Sequence, residues 1–129
     1  MKKLTGVRVL IAEDNPINMK IASRFLDKWG IVYEKAVNGL EAVSLFEKHQ
    51  FDLVLMDLEM PEMDGYGALK AIRGLNSTIP AIAFTAAVFD NMKESLINQG
   101  FNDFIQKPFR PLDLQAKLVA YSANFVKIA

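Results

Sequence analysis

The segment LVLMDLEMPEMDGYGALKAIR, residues 53–73, decides the fold. Its first four residues, Leu53 to Met56, are apolar without alternation, the pattern of a strand covered on both faces in a parallel sheet. Asp57 follows at once, then a loop holding Pro61 and the turn pair Asp64-Gly65. Asp64 reads as a helix cap and Gly65 as the end of the turn. Residues 65–73 then read as a helix. A strand, a short loop and a helix make one βα repeat.

Working outward, the rest of the chain supplies four more repeats. Strands are predicted at Val7–Ala12, Ile31–Ala36, Ala81–Phe84 and Asp103–Ile105, and further helices near 39–49, 88–99 and 111–124. In the first helix, Ile17, Ile21, Phe25 and Trp29 recur every four residues and are read as its core face, with Met19, Lys20 and Ser23 outward. Asn15-Pro16 suits its start, Asn as N-cap and Pro in the first turn, and Gly30 suits its C′ position. Gly100 ends the fourth helix, and Pro111 sits in the first turn of the fifth. Val88, Phe89 and Met92 are too many apolar groups for one buried stripe, so one exposed member is expected. Five strands alternating with five helices imply a single-domain α/β, doubly wound (βα)5 five-stranded parallel sheet with helices on both faces.

Composition bounds the rest. The 129 residues carry 15 basic and 15 acidic side chains, one histidine and no cysteine, with 51% hydrophobic. That length suits one domain. The missing cysteines rule out disulfides and thiolate metal sites, in keeping with a reducing compartment. Charge neutrality removes bulk electrostatics as a route to nucleic acid or an anionic membrane surface. No apolar run approaches membrane-spanning length, and the lead-in Met1–Gly6 with the short apolar stretch after it does not read as a signal peptide. The expectation is a soluble cytoplasmic domain, monomeric, with no nucleic-acid or membrane contact.

In such sheets ligands bind at the carboxyl ends of the strands, where strand order reverses. Strand 1 runs into Glu13-Asp14, strand 3 into Asp57, strand 4 into Thr85 and strand 5 into Lys107-Pro108, whereas strand 2 ends in the uncharged Val37-Asn38-Gly39. One acid in a βα loop is an ordinary helix cap. Three carboxylates, a hydroxyl and an ammonium on one sheet edge are not. Crowded carboxylates repel, and an all-oxygen donor set suits Mg²⁺, which keeps several waters and needs few protein ligands. Metal and ammonium would neutralise phosphoryl oxygens while one carboxylate attacks in line. The residues point to Mg²⁺-dependent phosphoryl chemistry on an aspartate.

The stretches RVLIAEDNPIN, VLMDLEMPEMDGYGALKAIR, IAFTA and DFIQKPF, in that order, resemble the receiver domain of two-component response regulators. EDNPIN and MDLEMPEMDG are most similar to receivers attached to hybrid sensor histidine kinases. The resemblance covers Val7 to about Tyr121 and implies a flavodoxin-like sheet order 2-1-3-4-5, with residues 1–129 forming one receiver domain behind a short lead-in of residues 1–6. It implies that Asp57 accepts a phosphoryl group from a phosphohistidine on a histidine kinase or a histidine phosphotransfer domain. Asp14, Asp57 and the backbone carbonyl of Glu59 would ligate Mg²⁺, with Glu13 contributing directly or through water. Thr85 would bond a phosphoryl oxygen, Lys107 would pair with the phosphate, the Lys107–Pro108 peptide would be cis, and Phe104 would move with Thr85 as the switch aromatic. Glu13 replaces the family's commoner aspartate, and Phe104 lacks the hydroxyl of a tyrosine switch. The family's first helix also docks the phosphohistidine partner.

A stand-alone single-domain regulator is the neighbouring alternative to a hybrid-kinase receiver. An aspartyl-phosphate phosphatase of haloacid-dehalogenase type would need its DxD on the first strand and room for a cap. A flavodoxin-like cofactor site would need a phosphate loop where EDNPIN stands. His49 reads as a surface residue in the last turn of helix 2, and Glu59, Glu62 and Asp64 read as solvated.

Overall fold

A computed structural model describes residues 4–126, with side chains described through residue 122. The first three residues of the lead-in and residues 127–129 lie outside the described residues. Five βα units follow one another: β1 (Arg8–Ala12), α1 (Pro16–Lys28), β2 (Val32–Ala36), α2 (Gly39–Lys48), β3 (Leu53–Asp57), α3 (Gly65–Leu75), β4 (Ala81–Thr85), α4 (Met92–Asn98), β5 (Asp103–Gln106) and α5 (Pro111–Val126). The strands form one parallel sheet in the order β2-β1-β3-β4-β5, as expected.

Alternation along the strands builds two apolar layers. Leu10, Val54, Met56, Ala81 and Ala83 face Ala42 of α2, Ala68, Leu69 and Ile72 of α3, and Met92 and Leu96 of α4. Val9, Ile11, Leu53, Leu55, Ile82 and Phe84 face Met19, Ala22 and Leu26 of α1 and Leu114 and Leu118 of α5. β3 and β4 are buried along their whole length, which is why they read as unbroken apolar runs. Of the lead-in, Leu4 is buried and Gly6 N donates to Gly30 O at 2.9 Å, so residues 4–6 are tied to the end of α1. Among the described residues no helix is long and apolar enough to cross a membrane.

Two helix expectations are corrected. In α1 the buried residues are Met19, Ala22, Ser23 and Leu26, not the Ile17–Trp29 row. Ile17 is 69% exposed and Ile21 42%, while Phe25 and Trp29 are half-buried and stacked with ring centroids 5.6 Å apart. A row spaced by four overshoots the helical turn by about 40° per step, so it winds off the face it starts on. The face that meets the sheet follows the i, i+3, i+4, i+7 pattern and is lined partly by small residues. Ser23 is accommodated there because its hydroxyl donates to Met19 O at 2.7 Å. Met19 and Ser23 therefore point inward, and of the three residues read as outward only Lys20 is exposed.

α4 begins at Met92, not at 88. Asn91, its N-cap residue, has φ of 63°, so the chain turns sharply just ahead of the helix. Met92 is buried, whereas Val88 and Phe89 are both exposed in the β4–α4 loop.

Candidate functional site

The order β2-β1-β3 places the reversal of the chain's winding between β1 and β3, and the carboxyl ends of those strands meet there. β1 delivers Glu13 and Asp14 and β3 delivers Asp57; the register sets Ala12 beside Met56, one residue short of the acids on both strands. Glu13 and Asp57 are buried, while Asp14 is exposed at the mouth. One carboxylate oxygen from each of the three lies within 4.8 Å of the others.

Lys107 reaches the same point from the loop after β5. Its Nζ lies 2.7 Å from Glu13 Oε1 and 2.8 Å from Asp57 Oδ2. The Lys107–Pro108 peptide is cis, and Lys107 N donates to Thr85 O at 2.7 Å, which holds the lysine backbone against β4. The remaining carboxylate oxygens take backbone donors: Asn15 N to Glu13 Oε2 at 3.2 Å and Glu59 N to Asp57 Oδ1 at 3.2 Å.

One ammonium serves two buried carboxylates. Burial, then the hydrogen bond with Asp57, pushes the Glu13 carboxyl up to about 7, against the lowering pull of Lys107 and Asn15 N. For Lys107 burial works against the charge, but its bonds to Asp57 and Glu13 outweigh it and hold the amine above its ordinary value. The site is an all-oxygen cluster with surplus negative charge, which is the donor set a hard divalent cation takes.

Thr85 ends β4 at the same edge and is buried. Its hydroxyl donates to Ala87 O at 3.0 Å and accepts from Ala87 N at 3.1 Å, so it is engaged within the β4–α4 loop and has no bond to Asp57 among the described residues. Phe104, on β5, is half-buried against the α2–α4 layer.

Glu59, Glu62 and Asp64 are exposed. Asp64 caps α3, its Oδ1 accepting from Gly67 N at 2.9 Å. Gly65 does more than end a turn. Its N–H donates to Leu58 O at 3.0 Å, and a Cβ there would lie 2.2 Å from Asp57 O. The start of α3 is pressed against the backbone of Asp57, which only a glycine permits. His49 lies away from the site at the end of α2, on the surface, 3.7 Å from Glu34.

Two polar clusters were not read from the sequence. Arg73 of α3 donates to Gly100 O, Ile79 O and Asn102 Oδ1, stapling the loops before β4 and β5. Asp103, read only as the first residue of a strand, is buried and bonded to Lys117 and Tyr121 of α5. The α5 sequence offers a clue in hindsight, since Lys117 and Tyr121 stand four apart on one helix face.

The response regulator receiver domain family matches residues 9–119. The chain is 36% identical over 130 residues to hybrid signal transduction histidine kinase B of Dictyostelium discoideum, covering 91% of this chain and 7% of that protein. It spans between 10% and 20% of the length of three other curated relatives. Among solved structures, it is similar to the receiver domain of a sensor histidine kinase from Pseudomonas aeruginosa PAO1, which has a magnesium ion coordinated in its active-site cleft. Identity there is 33%, TM-score 0.83, and coverage 91% of this chain and 98% of that one. It is also similar to the Ssk1 receiver domain of Saccharomyces cerevisiae, crystallised with the histidine phosphotransfer protein Ypd1. Identity there is 31%, TM-score 0.89, and coverage 97% and 94%.

Proposed function

The chain belongs to the response regulator receiver family, and from that premise we propose that it is the Mg²⁺-dependent phosphoryl-accepting domain of a phosphorelay, with Asp57 as acceptor. The observation that carries this is the pair of buried carboxylates, Glu13 and Asp57, bridged by the single ammonium of Lys107 where β1 and β3 end.

Asp14, Asp57 and the backbone carbonyl of Glu59 would hold Mg²⁺, with Glu13 close by; when bound, the cation would offset negative charge on the phosphoryl oxygens. The rest is done by the chain's own groups. An oxygen of Asp57 forms a bond to phosphorus as the phosphorus–nitrogen bond of a partner's phosphohistidine breaks, and the imidazole leaves with the electron pair. Lys107, held cationic by its neighbours, turns from carboxylate to phosphoryl oxygen as a point charge. Thr85 gives up Ala87 O to donate to the new group, drawing the β4–α4 loop inward and making room for Phe104 to move with it. Because these contacts exist only in the phosphorylated arrangement, phosphorylation shifts a two-state equilibrium toward it.

The phosphodonor is a histidine kinase or a histidine phosphotransfer domain. The outer face of α1, where Ile17 and Ile21 lie exposed among Lys20 and Arg24, is the surface for it. Likeness to kinase B supports a place as the receiver of a hybrid histidine kinase, and the balance of 15 basic and 15 acidic side chains supports a domain that works without nucleic acid; we place it in the cytoplasm as a monomer.

The test is intact mass after incubation with Mg²⁺ and acetyl phosphate, wild type beside Asp57→Asn. One phosphoryl adduct that needs Mg²⁺ and is absent from the variant is the expected result. An adduct that persists in Asp57→Asn overturns the assignment.

A further inference from the structure

The β3–α3 loop, residues 58–64, carries Glu59, whose carbonyl the proposed function gives to the cation. Its base is closed by Gly65 N donating to Leu58 O at 3.0 Å, and Met63 N donates back to Pro61 O at 2.8 Å. Between them Glu62 sits in the left-handed region at φ of 70°. Among the described residues, one hydrogen bond ties residues 59–64 to an element other than the β3 and α3 they join. It runs from Gly39 N to Met63 O, at 2.9 Å.

The donor is the first N–H of α2, one of those a helix cannot use within itself. Its neighbours fix the same helix end. Asn38 Oδ1 accepts from Glu41 N at 2.8 Å, and Glu41 Oε1 accepts from Val37 N at 3.2 Å, a variant of the capping box. A Cβ on Gly39 would lie 2.1 Å from Met63 O and 2.7 Å from its carbonyl carbon. The obstacle is backbone, so no rotamer change relieves it. The φ of Gly39 is not in the left-handed region. Glycine stands here for the close approach and not for its dihedral.

We propose that Gly39 is a positioning residue for the divalent cation, its contact with Met63 setting the path of the β3–α3 loop and through it the place of the Glu59 carbonyl. The inference rests on the metal site proposed above. A side-chain ligand can re-aim through its own torsions; a backbone carbonyl moves only with its loop. Mg²⁺ holds its ligands at about 2.0–2.1 Å in near-octahedral geometry, so a displaced carbonyl is lost as a ligand. Gly39 thus makes the otherwise uncharged end of β2 part of the site, through a contact no ligand list contains.

The experiment is calorimetric titration of the unphosphorylated chain with Mg²⁺ alone, in wild type, Gly39→Ala and Gly74→Ala, with melting of each metal-free protein alongside. Gly74 is the control, because a Cβ there meets nothing within 4 Å. The expected result is a dissociation constant about 10-fold weaker in Gly39→Ala, in the range of outer-shell losses at metal sites, with Gly74→Ala equal to wild type. Equal affinity in Gly39→Ala and wild type, whatever the melting temperatures, overturns the inference and leaves the metal site standing. A wild type that takes up no Mg²⁺ overturns both. If Gly39→Ala does not fold, Asn38→Ala replaces it. Removing that cap loosens the helix end that holds Met63, so a smaller loss of affinity supports the inference and unchanged affinity overturns it.

Discussion

Two buried aspartates stand at opposite edges of the sheet, each with a lysine against it, and they are built for opposite ends. At the carboxyl edge Asp57 shares Lys107 with Glu13, two carboxylates to one ammonium. At the amino edge the single carboxylate of Asp103 has its partners to itself: Lys117 at 2.6 Å, Tyr121 Oη at 2.9 Å, Phe104 N at 2.8 Å and Lys93 at 3.7 Å. Burial raises the Asp103 carboxyl, but Lys117, the Phe104 amide and Tyr121 outweigh it and hold it below its ordinary value. The Tyr121 hydroxyl in turn is pushed up to about 12 by burial and by Asp103. The carboxyl edge leaves Glu13 raised to about 7. A fully compensated acid holds structure together, whereas an under-compensated pair keeps charge in reserve for a cation and a phosphoryl group.

The largest effect that separates the edges is on phosphoryl transfer. Asp57→Asn loses the adduct entirely and keeps the fold, because one of two crowded carboxylates has been neutralised. Asp103→Asn retains the adduct. Mass spectrometry with acetyl phosphate reads both, and loss of the adduct in a folded Asp103→Asn would dissolve the contrast. Lys107→Ala falls between, expected to accept some phosphoryl group while failing to switch; ¹⁵N chemical shifts of the β4–α4 loop on phosphorylation measure this, and a normal response would count against the lysine's role.

Next comes stability. Asp103→Ala strands Lys117 and Tyr121 and costs about 3 kcal/mol, the lower end of what removing one partner of a buried pair costs, since Lys117 is partly exposed and can turn to water. Denaturant melts above neutral pH check it. The pH dependence has a definite sign. A carboxyl held below its unfolded value contributes stability that is present above the ordinary carboxylate range and lost as pH falls through its depressed folded value. The stability gap between wild type and Asp103→Ala should therefore narrow on acidification.

A third effect concerns α1. Ile17→Ala and Ile21→Ala are expected to weaken docking of a histidine phosphotransfer protein by about 1 kcal/mol each, as partly exposed apolar contacts do, while leaving the melting temperature near wild type. Titration against such a protein reads the first, and thermal melts the second. Met19→Ala, by contrast, opens the core and lowers the melting temperature.

That third effect turns on a residue face the sequence conceals. The sheet, and the meeting of Glu13, Asp14, Asp57 and Lys107 at its edge, are legible because the signals are local. LVLM ends in Asp57, AIAF in Thr85, and DFIQ runs into Lys107, so strand ends and chemistry are written side by side. The buried face of α1 is hard to read because Ile17, Ile21, Phe25 and Trp29 stand on the row that drifts outward, while the buried row sets Met19 and Leu26 beside the small Ala22 and Ser23, whose size suits close packing but gives little hydrophobic signal. α4 starts later than its sequence suggests because Val88 and Phe89 look like helix core although they belong to a loop. The contacts of Gly39 and Asp103 are not legible in the sequence. What Gly39 makes room for is a carbonyl 24 positions away, and what Asp103 binds lies 14 and 18 positions on. Such contacts exist only once the sheet has formed.

The last effect is the sharpest probe of the carboxyl edge. Glu13 is a carboxyl whose folded value, about 7, stands above the unfolded 4.5. Its contribution to stability is present below the unfolded value and is lost as pH rises through the folded one, the reverse of Asp103. Glu13→Gln removes the ionisation and keeps the shape. In the metal-free protein the variant should match wild type at acid pH and exceed it by about 1–3 kcal/mol once the pH is above 7. Added Mg²⁺ should close or invert that gap, because the cation relieves a carboxylate and has nothing to relieve in an amide. Melts of both proteins from pH 4.5 to 8, with and without Mg²⁺, decide the matter. If Glu13→Gln is instead the less stable protein at alkaline pH without metal, then Lys107 satisfies both carboxylates, the carboxyl edge is as well compensated as the amino edge, and the reserve of charge attributed to it does not exist.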